Sequence, residues 1–308
     1  MATSGFLDYC RHKEEAALAA PLAGFATLAD EAVGADLLSF GNPWTRRLFD
    51  GDFHRSAGAA SPDLPAVSLL VSQLPASPET RPDQNPSPAS PACPGETVRH
   101  LVHEGLSRVD ADAVLGGMDA DQTLHHVCSV WHPELVRLRA EWGLPRHPAQ
   151  VLVTNSCDVP FEQCLLFREP SLRVIVVTRS SMVATARARL RQSPWVDVLD
   201  AGEPLDLRRA LTSLRDEGIA VVSAVGGRRV ASTLLQAQLV TDLYVTTCTP
   251  GSAAAAVAFY DGPPLRRRRL LSKTGRGSEA SVRFEHLVPP SVYAPGLRLG
   301  AAPSSILR

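Results

Sequence analysis

The run LRVIVVT at residues 172–178 constrains the fold more than any other stretch, because only Arg173 and Thr178 interrupt its apolar side chains. A strand with one wet face alternates apolar and polar residues. A nearly continuous apolar strand is covered on both faces, as in a parallel sheet with helices on each side. Similar runs recur as VSLLVS at 67–72, QVLVT at 150–154, IAVVSA at 219–224 and DLYVTTC at 242–248, with shorter ones at 113–115 and 196–199. Between them lie helical patterns. Residues 97–107 space Val98, Leu101, Val102 and Leu106 at helical intervals, and residues 205–214 do the same with Leu205, Leu207, Leu211 and Leu214 before Gly218. Strand and helix alternate over residues 96–250, which predicts an α/β protein with a mainly parallel central sheet flanked by helices. The clean alternation of SVRFEHL at 281–287 predicts a late, antiparallel edge strand.

The rest of the chain is organised around that core. Helical patterns over 12–20 and 25–39 predict an N-terminal helical extension, residues 1–60, docked through Trp44, Leu48 and Phe49. Residues 61–295 form the main domain and residues 296–308 a tail. Seven prolines between residues 75 and 94 forbid helix or interior strand there, so residues 75–95 read as a Pro-rich loop. The formal charge of −1 gives no global field for a polyanion, and 6% aromatics give few stacking platforms. Both argue against nucleic acid as the main partner. Arg266 to Arg269 read as a solvated loop, with local phosphate or nucleic-acid contact as the alternative. No stretch approaches the ~20 apolar residues of a membrane span, and no secretory signal is recognisable. Six irregularly spaced cysteines fit reduced thiols in a cytoplasmic protein, and Cys157 and Cys164 lack the spacing of a metal site, so no metal is expected. His100, His103, His125, His126 and His132 read as surface residues.

Ligands of parallel sheets bind at the C-terminal ends of the strands. Two such ends carry suggestive residues. At 221–229 a buried strand runs through Val225 into Gly226 and Gly227, then into a helix beginning with Arg228 and Arg229. Glycines there let backbone N–H groups approach an anion, and the helix start favours negative charge, which suits a phosphate or diphosphate. A tight turn needing small residues is the alternative. At 178–181 a strand ends in Thr178, Arg179, Ser180 and Ser181. Hydroxyls beside a guanidinium suit a phosphate monoester such as the 2′-phosphate of NADPH, while Ser180 or Ser181 could instead cap a helix. No nucleophile–base constellation and no common nucleotide-loop motif is present.

In this order and spacing, ADAVLGG (111–117), PAQVLVTNSCDVP (148–160), LRVIVVTRSS (172–181) and VVSAVGGRRVASTLLQAQLVTDLYVTTCTP (221–250) resemble the reductase domain of bacterial riboflavin biosynthesis. That family has the dihydrofolate-reductase-like fold. The resemblance implies an NADPH-dependent reductase that passes a hydride to a ribosylamino-pyrimidine, pterin-like or other heteroaromatic ring. It implies cofactor contacts at Gly117, Thr154, Asn155, Thr178, Arg179, Ser180, Gly226, Gly227, Arg228 and Arg229. It places substrate contacts at Val225, where the family carries Glu, and at Ser72 and Gln73, where the family's first strand enters a segment over the active site. It further implies a homodimer paired through the late strands. The alternative is a catalytically degenerate member acting as a binding or scaffolding subunit.

Overall fold

The computed structural model describes residues 3–19, 26–30, 37–40, 43–48, 53–56, 62–73, 103–118, 126–225, 228–249, 265–273 and 281–289. The Pro-rich loop and the C-terminal tail lie outside these residues. Ten strands form one sheet in the order β1-β11-β12-β10-β4-β9-β5-β6-β7-β8. These are β1 (Ala26–Asp30), β4 (Ala66–Gln73), β5 (Ala113–Gly117), β6 (Ala149–Thr154), β7 (Val174–Thr178), β8 (Val196–Asp200), β9 (Val221–Val225), β10 (Asp242–Thr249), β11 (Arg267–Lys273) and β12 (Ser281–Leu287). Every neighbouring pair from β10 to β8 is parallel, and β12, β11 and β1 add three antiparallel strands with β1 outermost. The architecture is mixed α/β and mainly parallel, as expected. The alternating 281–287 segment is antiparallel as its pattern predicts, but it is not an edge strand: it lies between β11 and β10, because β11 and β1 extend the sheet beyond it.

Period-two alternation divides the core between the two faces of the sheet. Val174 and Val176 of β7 pack with Leu70, Tyr244, Phe284, Leu106, Trp131 and Phe167 on one side. Ile175 and Val177 pack with Val67, Leu69, Leu115, Val222 and Leu243 on the other, under helices Leu207–Asp216 and Arg228–Gln236. The first of these helices begins at Asp206, whose carboxylate accepts the Arg208 N–H at 2.8 Å. It ends before Gly218, whose φ of +88° suits a residue without Cβ. Four of the seven α-helices among the described residues are α1 (Ser4–Ala19), α2 (Pro43–Leu48), α3 (Pro133–Glu141) and α4 (Leu165–Arg168). The other three are α5 (Val183–Arg189), α6 (Leu207–Asp216) and α7 (Arg228–Gln236). No described helix is long and apolar enough to cross a membrane.

The N-terminal region departs from the helical reading. Helix α1 forms and starts earlier than its pattern suggests, but the helix expected over 25–39 is replaced by strands β1 and β2 (Leu37–Phe40). Strand β1 pairs with β11 and so extends the main sheet, while β2 pairs with β3 (Phe53–Ser56). The open edge of β11 supplies a hydrogen-bonding partner that an isolated Ala-rich helix would not need. Helix α1 is tied down by the Glu169 carboxylate, which accepts the Thr3 N–H at 2.9 Å and hydroxyl at 2.8 Å. The Arg146 guanidinium meets Glu14 at 2.8 Å. Trp44 is buried as expected, and its ring lies where a Cβ on Gly105 would approach to 2.6 Å, so a side chain at 105 would displace it.

Four polar residues read as exposed are inside. His103 and His132 are buried, not surface, residues. Arg268 and Arg269 are buried within β11 rather than in a solvated loop, which removes them from any nucleic-acid surface. Glu104 opens a single π-helical turn (Glu104–Arg108), and one of its oxygens accepts the N–H groups of Trp131 at 2.7 Å and His132 at 3.2 Å. Burial raises its pKa from 4.5 to about 7 against the pull of those amides and of Arg108 and Arg146. The folded value lies above the unfolded one. The folded chain therefore holds the extra proton, and stability falls as pH rises from about 4.5 through about 7. Glu104→Gln is expected to flatten that fall, by about 3 kcal/mol across the window, in denaturant titrations run at a series of pH values.

Candidate functional site

Because the central strands are parallel, their C-terminal ends share one edge of the sheet. The register sets Leu70 beside Val225, Leu115 beside Ala224, and Gly117 beside Val153. It also sets Thr154 beside Thr178 and Thr178 beside Asp200. Ser72 and Gln73 continue β4 past Val225's partner, opposite Thr246 and Thr247 of β10. Strand β9 runs between β4 and β5, so Val225 ends at the centre of this edge. Gly226 and Gly227 lie outside the described residues; they are the whole connection between Val225 and α7. Arg229, in the first turn of α7, is exposed.

The two glycines ending β5 explain how α7 reaches this edge. A Cβ on Gly117 would lie 3.1 Å from a methyl of Val230, in the first turn of α7. A Cβ on Gly116 would lie 3.0 Å from the Val225 carbonyl oxygen. Their missing side chains let the start of α7 settle against the ends of β5 and β9. The Met118 N–H continues the ladder to the Val153 carbonyl at 3.0 Å, and its side chain is half-buried.

At the ends of β6 and β7 the threonine hydroxyls turn inward. Thr178 is fully buried and donates to the Thr154 carbonyl at 2.8 Å. The Thr154 hydroxyl accepts the Cys157 N–H at 3.1 Å. Cys157 adopts φ of +53°, and its carbonyl and that of Val159 are held by Arg189. These two threonines shape the loop after β6, and Asn155 is the exposed residue at its start.

Beyond β7 the chain presents Arg179, Ser180 and Ser181 toward the loop that follows β8. Ser180 does not cap α5; its hydroxyl donates to Asp200 at 2.7 Å. The Ser181 N–H donates to Glu203 at 3.1 Å, and the Arg179 guanidinium lies 3.6 Å from the same carboxylate. Arg209 approaches Asp200 at 3.9 Å. The hydrogen bonds from Ser180 and Gly202 hold Asp200 below the usual carboxylate range, and those from Ser181, with Arg179 nearby, do the same for Glu203. Asp200 and Glu203 are the residues that sequence reasoning missed. Asp200 follows directly on the strand predicted at 196–199, and that position was the available signal.

Residues 83–272 match the family model described as the RibD C-terminal domain. A comparison with curated protein sequences finds no match. Among solved structures, the chain is similar to a pyrimidine reductase-like protein from Corynebacterium diphtheriae at 18% identity and a TM-score of 0.54. That alignment covers 73% of this chain and 92% of the other. It is also similar to RibD from Acinetobacter baumannii, at 19% identity and a TM-score of 0.51. There the alignment covers 76% of this chain and 60% of that protein, so the chain spans less than two thirds of the Acinetobacter enzyme. At these identities the likeness is one of fold.

Proposed function

Because the chain belongs to the RibD C-terminal domain family, we propose that it is a reductase of the riboflavin-biosynthesis type, using NADPH. Its substrate class is a ribosylamino-pyrimidine or a related heteroaromatic ring. The observation that carries this reading is the close seat of the first turn of α7 against Gly117, where the ends of β5 and β9 meet. Backbone amides at a strand-to-helix turn hold a diphosphate without a charged side chain, which fits Gly226, Gly227 and the start of α7 to that role. Arg228 and Arg229 add positive charge beside it. Gly117 leaves the floor low, and Asn155 offers an exposed amide at the next strand end. Arg179 and Ser180 would meet the adenosine end, with Thr154 and Thr178 shaping the loop behind them.

The nicotinamide ring supplies the hydride when the cofactor is bound. The residues of this chain contribute position, and positioning alone can account for most of the rate of such a transfer. Val225 presents an apolar side chain at the centre of the edge, and Ser72 and Gln73 extend β4 on its far side. These three would face the acceptor ring. A cytoplasmic homodimer paired through the late strands completes the reading.

The internal engagement of Arg179 and Ser180 favours one rival, a binding subunit that keeps the fold without the activity. Incubation with NADPH and a ribosylamino-pyrimidinone separates the two. A reductase consumes NADPH absorbance only when both are present, and a scaffold leaves it unchanged.

A further inference from the structure

We propose that Glu203 sets the cofactor specificity of this chain by occupying two of the donors that a 2′-phosphate on the adenosine ribose would take, the Arg179 guanidinium and the Ser181 N–H. The inference rests on the dinucleotide reading above and adds to it a residue that competes with the ligand. The donors at the end of β7 are the Arg179 guanidinium, the Ser180 hydroxyl and the Ser181 N–H. Asp200, at the end of β8, engages the Ser180 hydroxyl, and Glu203, in the loop that follows, engages the Ser181 N–H and the Arg179 guanidinium. A phosphate and a carboxylate use the same donors and repel one another, so the two cannot share them.

The two carboxylates differ in how firmly they are held. Asp200 is part of the turn: it accepts the Gly202 N–H at 2.8 Å, and the Gly202 carbonyl accepts the Ser180 N–H at 3.0 Å. Gly202 itself sits at φ of +89°, so the turn is built around it. Glu203 is half-exposed and held from outside the turn by Ser181 and by Arg179 at 3.6 Å. Its lowered pKa keeps it ionised at neutral pH. Glu203 is therefore the group that must leave when a 2′-phosphate arrives. A cofactor with a free 2′-hydroxyl makes no such demand, and its hydroxyl can donate to Glu203 in place. The chain should thus favour NADPH over NADH less than Arg179 and Ser180 alone would allow.

The test is equilibrium titration of the full chain with NADPH and with NADH, followed by nicotinamide fluorescence, for the parent protein, Glu203→Gln and Glu217→Gln. Glu217 pairs with Arg173 away from this loop and serves as the control. Glu203→Gln is expected to tighten NADPH roughly three- to tenfold, with the gain shrinking in high salt, because the competing pair is partly exposed. NADH is expected to hold its affinity or weaken, and Glu217→Gln to change neither. Matching melting temperatures establish that the variants are folded. If Glu203→Gln leaves NADPH unchanged, or tightens both cofactors equally, the competition is overturned while dinucleotide binding stands. If neither cofactor binds any of the proteins, the reductase reading fails and this inference with it.

Discussion

Replacing Arg139 with methionine is expected to lower the stability of the fold by about 3–5 kcal/mol, because several buried carbonyls lose their donor at about 1–3 kcal/mol each, in part made good by relaxation. Arg139 lies in α3, with no exposed surface. Its guanidinium donates to the carbonyls of Arg108 at 2.8 Å, Val109 at 3.1 Å and Ala111 at 2.8 Å. It also donates twice to Pro145, at 3.0 and 2.8 Å. These carbonyls belong to the segment entering β5 and to the loop entering β6, so one side chain fixes the approach to two central strands. Desolvation lowers its pKa to about 10, which leaves it charged at neutral pH. Methionine fills much of the volume but leaves four buried acceptors without that donor. Lysine keeps the charge but not the planar fork and should recover only part of the loss. Urea unfolding monitored by tryptophan fluorescence checks both variants, and a change below about 1 kcal/mol for Arg139→Met would contradict this view of the network.

Gly117→Val is expected to have the largest effect on ligand binding. A Cβ at that position already meets the Val230 methyl at 3.1 Å, and valine adds two methyls beyond it. The neighbour is the first turn of a helix, which can yield only by moving off the ends of β5 and β9. Overpacking of this kind costs about 1–3 kcal/mol of stability. Displacing the amides that would receive a diphosphate should weaken NADPH about a hundredfold, equivalent to two preorganised hydrogen bonds to an anion. Gly117→Ala asks Val230 for a few tenths of an ångström and should lose much less. Calorimetric titration against both variants checks the order. Equal affinity in Gly117→Val and the parent would place the dinucleotide elsewhere.

The central sheet was legible because its strands are apolar on both faces, and Val174 to Val177 need no tertiary information to read as interior. The N-terminal region was not. Residues 26–30 read ATLAD, a sequence that suits a helix as well as a strand, and the free edge of β11 decides between them. Arg268 and Arg269 carry charges that mark a surface in any composition argument, yet β11 carries them into the interior. At the candidate site, Thr154, Thr178, Arg179 and Ser180 were recognisable as a polar strand end. Which of their groups face a ligand was not, because that depends on a loop from the next strand. Glu203 reaches them only through the turn at Gly202, where φ is positive, while Asp200 ends β8 beside Thr178. Gly116 and Gly117 were visible as glycines, but their close seat against α7 became clear only with the helix in place.

A crystal structure of the full chain grown with NADPH tests most directly whether a dinucleotide lies along this strand edge. Density for the diphosphate is expected at the start of α7, with the adenosine ribose toward Arg179 and Glu203 swung away from it. Clear density for the cofactor on any other face, or an empty edge in crystals grown at millimolar NADPH, would contradict the account.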